Sequence, residues 1–197
     1  MERQKGWYKI ILIAILVISL IFLFFENVNA ITGNVVEGST TSNVTIEKYL
    51  AIAFSTSLSQ GIYFGSVDTL PATDINATHD YDGASSATTY YISVSGDGNS
   101  QVDFCLKANA PLTNNATEEI PLVGETYSNS SSSNSTVPVL GDQVSMTTSY
   151  VKSGNAIAAG SDNFYRFWLD VPAIQPSGEY NNTVSFKGVV TGLACTV

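Results

Sequence analysis

The chain is poor in the residues that most catalysis and nucleic-acid binding require. It has one histidine, His79, two cysteines, and eight basic residues against seventeen acidic ones in 197. One histidine leaves no room for a histidine-rich metal centre and little for a Ser-His-Asp triad. No Gly-x-Ser-x-Gly elbow occurs either. Two cysteines are too few for a disulfide-dense miniature scaffold, and with a single histidine they cannot close a zinc site without carboxylates. A formal net charge of −9, with no basic patch interleaved with aromatics, repels phosphates and excludes nucleic acid as a partner. Past the first thirty residues no helical periodicity emerges, which excludes a helical bundle.

What the chain has in quantity is Ser, Thr, Asn, Tyr and Phe. That is the composition of an exported β-protein. The N-terminus agrees. Arg3, Lys5 and Lys9 precede an apolar run from Ile10 to Phe25 broken only by Ser19, and Val28-Asn29-Ala30 offers a small-residue cut site. These are the three parts of a secretory signal, read as residues 1–30. A second reading keeps the run as an uncleaved anchor. Sixteen helical residues reach about 24 Å, slightly short of a ~30 Å hydrocarbon core. Membrane contact is then confined to residues 10–25. A third, prepilin-like reading cuts after Gly6.

Cleavage after Ala30 leaves five basic residues, Lys48, Lys107, Lys152, Arg166 and Lys187, against fifteen acidic ones. Cys105 and Cys195 are read as a disulfide, as expected in an oxidising compartment. Closing a separation of 90 residues is worth roughly 4–5 kcal/mol in the chain-entropy model. Six Asn-x-Ser/Thr triplets, at Asn43, Asn76, Asn115, Asn129, Asn134 and Asn181, are candidate glycosylation sites, most of them in expected loops.

Residues 31–43 read as an extended segment, Ile31–Val36, followed by a Gly/Ser/Thr spacer. From Val44 to Phe54 apolar residues alternate at period two, the mark of a half-buried strand. Further strands are expected at Gly61–Gly65, Tyr90–Val94, Val102–Lys107, Val144–Val151, Phe164–Val171 and Tyr180–Val190. Asp68–Ser86 and Ala110–Val139 read as loops, and Asn155–Gly160 as a loop with room for one helical turn. In the strand at 102–107, Val102, Phe104 and Leu106 share the inner face, so Cys105 lies outside, placed to pin the C-terminal tail. In the strand at 164–171, Tyr165, Phe167, Leu169 and Val171 face inward, while Arg166, Trp168 and Asp170 face out. Trp168 reads as packed beneath a loop or partner rather than as a sugar platform. Tyr180, after Pro176-Ser177-Gly178-Glu179, fits a corner whose hydroxyl bonds back to its own loop. The fold class expected for residues 44–197 is all-β, a two-sheet antiparallel sandwich of immunoglobulin or jelly-roll type, preceded by an N-terminal hydrophobic helix.

Candidate chemistry is sparse. Asp74, Asn76, Asp80 and Asp82, around His79, put oxygen at recurring even positions, as calcium loops do. They lack the order and distal glutamate of an EF-hand, and a solvated hairpin explains them equally, so no metal and no cofactor is assigned. His79 reads as a surface histidine rather than a general base. The adjacent Glu118-Glu119 does not make a converging carboxylate pair. No catalytic residue is expected.

The basic signal, the strand Tyr49-Leu50-Ala51-Ile52-Ala53-Phe54, the Gly61-Ile62-Tyr63-Phe64-Gly65 stretch and the closing Pro-Ser-Gly-Glu-Tyr-Asn-Asn-Thr-Val-Ser-Phe run resemble small archaeal surface β-sandwich proteins. The layout is similar to TasA/camelysin-like filament subunits and to archaeal bundling pili. The resemblance implies a fibre or coat subunit that donates an N-terminal strand to the next copy, here from Ile31, Gly33, Val35 and Val36. Independently, an extended apolar segment ahead of a spacer has backbone groups and a side-chain stripe to bury, and a neighbour's open edge satisfies both. The same segment is compatible with folding back as its own domain's first strand or remaining a stub. The expected function is therefore an exported, self-assembling structural protein of the cell surface. The alternative is an anchored, monomeric adhesion module for surface glycans or neighbouring cells, with a calcium-dependent enzyme or hydrolase ranked below both.

Overall fold

The computed structural model describes residues 7, 9, 13–19, 41–83, 86–115 and 118–196. The chain divides into two compact units, Met1–Thr45 and Ile46–Val197. In the first, residues 13–19 are helical with exposed side chains, and residues 41–45 lie outside any strand. No helix among the described residues is long and apolar enough to cross a membrane. Most of the expected signal or anchor (1–30), the whole segment Ile31–Val36 and its spacer up to residue 40 lie outside the described residues.

The second unit is built of antiparallel strands. They are β1 (Ile52–Phe54), β2 (Ala72–Asn76), β3 (Tyr91–Val94), β4 (Val102–Ala108), β5 (Leu112–Thr113), β6 (Glu119–Ile120), β7 (Glu125–Ser130), β8 (Val144–Ser145), β9 (Val151–Ile157), β10 (Asp162–Val171) and β11 (Val184–Val190). A six-stranded sheet runs β1-β3-β10-β7-β8, with β2 also paired to β10. A three-stranded sheet runs β11-β4-β9, and β5 and β6 form a small hairpin. The one α-helix among the described residues of this unit, α1 (Thr56–Gln60), is capped by Ser55, whose Oγ accepts from Leu58 N–H at 3.2 Å.

β10 organises the first sheet. Phe164–Leu169 pair with Ser130–Glu125 of β7. Its other edge serves β3 first and β2 afterwards. The alternation along it is the expected one. Tyr165 and Phe167 enter a core that they share with Val102, Phe104 and Leu106 of β4, so the inner faces of the two sheets supply one hydrophobic interior. Leu169 and Val171 enter a second cluster with Leu112 and Ile120 of the hairpin. Full burial of such side chains is worth about 1.5–3 kcal/mol each. Gly188 of β11 matters here: a Cβ there would stand 3.1 Å from Val102 Cγ1 and 3.2 Å from Ile52 Cγ2. Its absence lets β1 close onto the other sheet.

Several boundaries differ from the periodicity. Val44 and Ile46 are 85 % and 78 % exposed, and ladder pairing begins only at Ile52. Ahead of it the Asn99 side chain joins two backbone bonds, from Ser95 N–H to Ala51 O and from Asn99 N–H to Tyr49 O: Tyr49 N–H donates to Asn99 Oδ1 at 2.7 Å, and Asn99 Nδ2 donates to Glu47 O at 2.8 Å. Gly61–Gly65 forms no strand, because no neighbour among the described residues pairs with it in a ladder. The expected loop Asp68–Ser86 contains β2, and the expected loop Ala110–Val139 contains β5, β6 and the central strand β7. The expected strand Val144–Val151 is two pieces, β8 and the start of β9, and β9 runs on through Asn155–Ile157 in place of a helical turn. The last strand starts at Val184 rather than Tyr180.

Cys105 sits on the outer side of β4, bonded to Cys195 in the tail. Asp103, two residues earlier on the same side, holds the tail as well. Its carboxylate accepts from Gly192 N–H at 3.1 Å, Thr191 Oγ1 at 3.2 Å, Ala156 N–H at 2.7 Å and Lys152 Nζ at 2.5 Å. Burial pushes this carboxyl up, but the four donors outweigh it and hold the pKa at about 2. Replacing both cysteines with serine should lower stability by about 2–5 kcal/mol, the chain-entropy figure being the upper end, without releasing the tail from Asp103. Urea denaturation of the double variant checks the first part, and amide exchange at Thr191 and Gly192 the second.

Candidate functional site

Between the unladdered stretch Gly61–Asp68 and the chain entering β11 lies an open groove of about 960 Å³. Its floor is apolar, with Leu58, Leu112, Ile120, Leu169 and Val171. Gln175–Thr183 and the start of β11 form one wall. β11 is the outermost strand of its sheet and pairs with β4, with no second strand laddered to it among the described residues. Phe186 faces inward, its ring 5.5 Å from those of Phe54 and Tyr165.

The opposite wall is strand-like in its side chains. Ile62 and Phe64 pack on the core, and Tyr63 between them is 59 % exposed. Yet among the described residues the only backbone-to-backbone bond between residues 62 and 68 and the rest runs from Thr78 N–H to Tyr63 O, at 2.7 Å. Glycines bracket it, Gly61 at φ +120° and Gly65 at φ +72°, values that side chains with a Cβ resist.

The groove also has a polar point. Glu125, 2 % exposed, accepts from Asn182 Nδ2 at 2.6 Å. Burial pushes its carboxyl up, and the Asn182 bond only partly opposes this. At the corner, Tyr180 Oη donates to Pro176 O at 2.8 Å and accepts from Asn114 Nδ2 at 3.2 Å, the bond back to its own loop that the sequence suggests.

The even-spaced oxygens around His79 do not converge. Asp74 Oδ1 accepts from Gln143 Nε2, and Asn76 Oδ1 from Trp168 Nε1 at 2.7 Å. Asp80 is fully buried, both oxygens taking Phe167 N–H at 3.0 Å and Oδ2 also taking Ala77 N–H at 3.2 Å. Asp82 bonds His79 Nδ1 at 2.7 Å and Gly83 N–H at 2.8 Å. Each oxygen has a different task, and no group of three metal-binding side chains forms among the described residues. Hydroxyls of Thr89 and Ser57 continue the chain from Asp82 rather than from the imidazole. Glu118 and Glu119 are both exposed, Glu119 on β6.

Of the sequons, Asn43, Asn115, Asn134 and Asn181 are exposed outside strands. Asn134 is preset by a turn in which its Oδ1 accepts from Thr136 N–H and Oγ1 at 2.8 and 2.7 Å. The loop expectation is corrected at two positions: Asn76 ends β2, and Asn129 lies half-buried in β7, donating to Asn163 Oδ1 at 3.3 Å. Asn181 lines the groove. The proposed donor residues Ile31, Gly33, Val35 and Val36 lie outside the described residues. Sequence periodicity gave no sign of the groove, because its walls come from segments more than a hundred residues apart. The one local clue was a strand-like stretch framed by two glycines.

Arg166 and Trp168 face away from the core, as expected, yet both are 1 % exposed. Arg166 donates to Pro138 O at 3.1 Å, to Ser86 O at 3.0 Å and to Asn134 O, and stacks 3.9 Å from the Tyr81 ring centroid. Two loops are thereby tied down over the outer side of β10.

No family model matches the chain, and none of the curated proteins matches it significantly.

Proposed function

We propose that this chain is an exported structural protein of the cell surface, its two sheets forming a β-sandwich that assembles with copies of itself. Ile31–Val36 of one copy enters the groove of the next as an extended strand. The observation that carries this reading is a groove with an apolar floor, bordered by the start of β11, which ladders with β4 on one side, and by Gly61–Asp68, which joins no ladder among the described residues. Such edges are templates for strand addition: main-chain bonds supply affinity, and alternate side chains fill pockets. The signal-like N-terminus, the stapled tail and the exposed sequons support export. The acidic surface suits a protein that stays soluble until a specific contact forms.

The test compares the chain beginning at Ile31 with one lacking Ile31–Val36, by negative-stain microscopy and light scattering. Polymers are expected from the first and monomers from the second, with the same melting curve for both domains. Unchanged assembly after the deletion removes strand donation from the proposal. Monomers from both would favour the adhesion module.

A further inference from the structure

We infer that the chain carries a second self-contact, away from the groove. The outer face of the β11-β4-β9 sheet, around Lys107, Tyr150 and Lys187, docks on the outer side of the six-stranded sheet of another copy, around Asp74, Asp142 and Asp170. The contact rests on the reading of a self-assembling protein but uses neither the groove nor Ile31–Val36.

Positive charge is scarce here and concentrated. Past Ala30 the chain has four lysines and Arg166. Arg166 is spent beneath two loops. Three of the four lysines, Lys107, Lys152 and Lys187, stand on one face. Lys107 lies between the core residues Leu106 and Ala108, so it points away from the interior. Lys187 and Lys152 lie level with Cys105 on the strands either side of β4. Lys152 answers Asp103. Lys107 and Lys187 converge instead on the half-buried Tyr150, their Nζ atoms 4.8 and 4.6 Å from its ring centroid. Two like charges held over one ring repel each other, and an incoming anion relieves that repulsion.

The complementary surface is on the other sheet. Asp170 lies between Leu169 and Val171, which turn into the interior, so it points away. Its Oδ1 accepts from Asp74 N–H at 2.7 Å, and Asp74 Oδ1 accepts at 2.8 Å from Nε2 of Gln143, the neighbour of Asp142. All three aspartates are exposed. Beside them Val123 is 71 % exposed. It is held there by Gly124, where a Cβ would stand 2.7 Å from Asp170 O. No ion pair among the described residues engages Lys107, Asp74, Asp142 or Asp170. An apolar side chain ringed by carboxylates thus matches an aromatic ring flanked by ammonium groups, with hydrocarbon at the centre and opposite charges at the rim.

The two sheets share one core through their inner faces, so the patches look in opposite directions. A copy docked through one keeps the other open, and the contact is heterologous, extending rather than closing. Exposed ion pairs contribute little singly, and a net charge of −9 holds copies apart until the patches face each other. The contact is therefore weak in dilute solution.

Charge reversal tests this on the chain lacking Ile31–Val36, where strand donation cannot contribute and the compact unit Ile46–Val197 is whole. Light scattering and NMR amide shifts are followed up to about 1 mM, where a weak contact is populated. Lys107→Glu with Lys187→Glu makes the chain more acidic, and Asp142→Lys with Asp170→Lys makes it less so. Net charge alone would make the second variant associate more than the wild type. Opposed patches make both associate less, by at least about tenfold. An equimolar mixture of the two should recover, because each brings the face that the other has lost. Melting curves check folding, and the milder Lys107→Gln and Asp142→Asn should each weaken association by about threefold. Stronger association of the second variant, or a mixture no stronger than its parts, overturns the contact and leaves strand donation standing. So does a wild type whose amide shifts at Lys107, Lys187, Asp142 and Asp170 do not change with concentration. Recovery in the mixture, with no polymers from the chain beginning at Ile31, supports the contact and removes donation.

Discussion

Raising the pH from about 4 to 8 should destabilise this domain, and Asp80 should dominate the loss. Its carboxyl is fully buried, and burial pushes its pKa from 3.8 to about 7, against the opposing pull of the Phe167 and Ala77 N–H bonds and the nearby Arg166 charge. Below its ordinary value the group is protonated in both states, and the favourable contribution is complete. Between there and about 7 the unfolded chain releases the proton while the folded one retains it, so stability falls. Above 7 both are ionised and the decline from this group ends. A gap of about three pH units corresponds to up to about 4 kcal/mol. Glu125, also raised, adds to the slope. Asp103, held at about 2, acts the other way: its contribution is present above about 4 and lost as pH falls through 2. Stability should therefore peak near pH 4, on the acid side of where most domains peak. Urea denaturation of the wild type and Asp80→Asn at several pH values decides it. The amide keeps an acceptor for Phe167 and Ala77 but cannot titrate, so most of the slope should vanish. A variant with the wild-type slope would show that Asp80 is ionised throughout.

Arg166→Ala should cost about 3–5 kcal/mol, the range for stripping one partner from a buried charged network. Three carbonyls lose their donor, Tyr81 loses its cation, and the side chain's stem leaves a gap. The damage should be local as well as global: residues 131–139 should become sensitive to protease while β10 and β7 stay paired. Because Arg166 also lowers the Asp80 pKa, its removal should carry the pH-dependent loss further into the alkaline range. A cost under about 1 kcal/mol, with the loop still protected, would mean that packing alone holds these loops.

The strands that are legible from the sequence are those whose neighbours bury one face. Tyr165 and Phe167 in β10, and Val102, Phe104 and Leu106 in β4, alternate because the core takes every second side chain. β7 escapes notice for the opposite reason. Thr126, Ser128 and Asn129 are small and polar, yet Thr126 and Ser128 are buried, because β10 on one edge and a loop above them replace water. The small polar residues that read as part of a loop instead supply a strand. Tertiary context overrides propensity in the other direction at Gly61–Gly65, whose pattern is that of a strand but which has no ladder partner among the described residues. Val44 and Ile46 are a similar case, alternating and exposed. The resemblance to strand-donating filament subunits implies a receptive edge without a position; the groove proposed for that role lies between residues near 65 and residues near 180.

The Cys105–Cys195 link has a mechanical consequence. If a neighbour hangs on β11, tension along the fibre pulls an outermost strand away from its sheet. A strand free at both ends opens like a zipper, one pair at a time. Here the tail beyond Val190 folds back and is tied covalently at the level of Lys187, opposite Cys105. Peeling can start only from Val184, and from the other end the load must shear all the remaining rungs together. In the proposed assembly the staple would thus set the direction in which a subunit resists force.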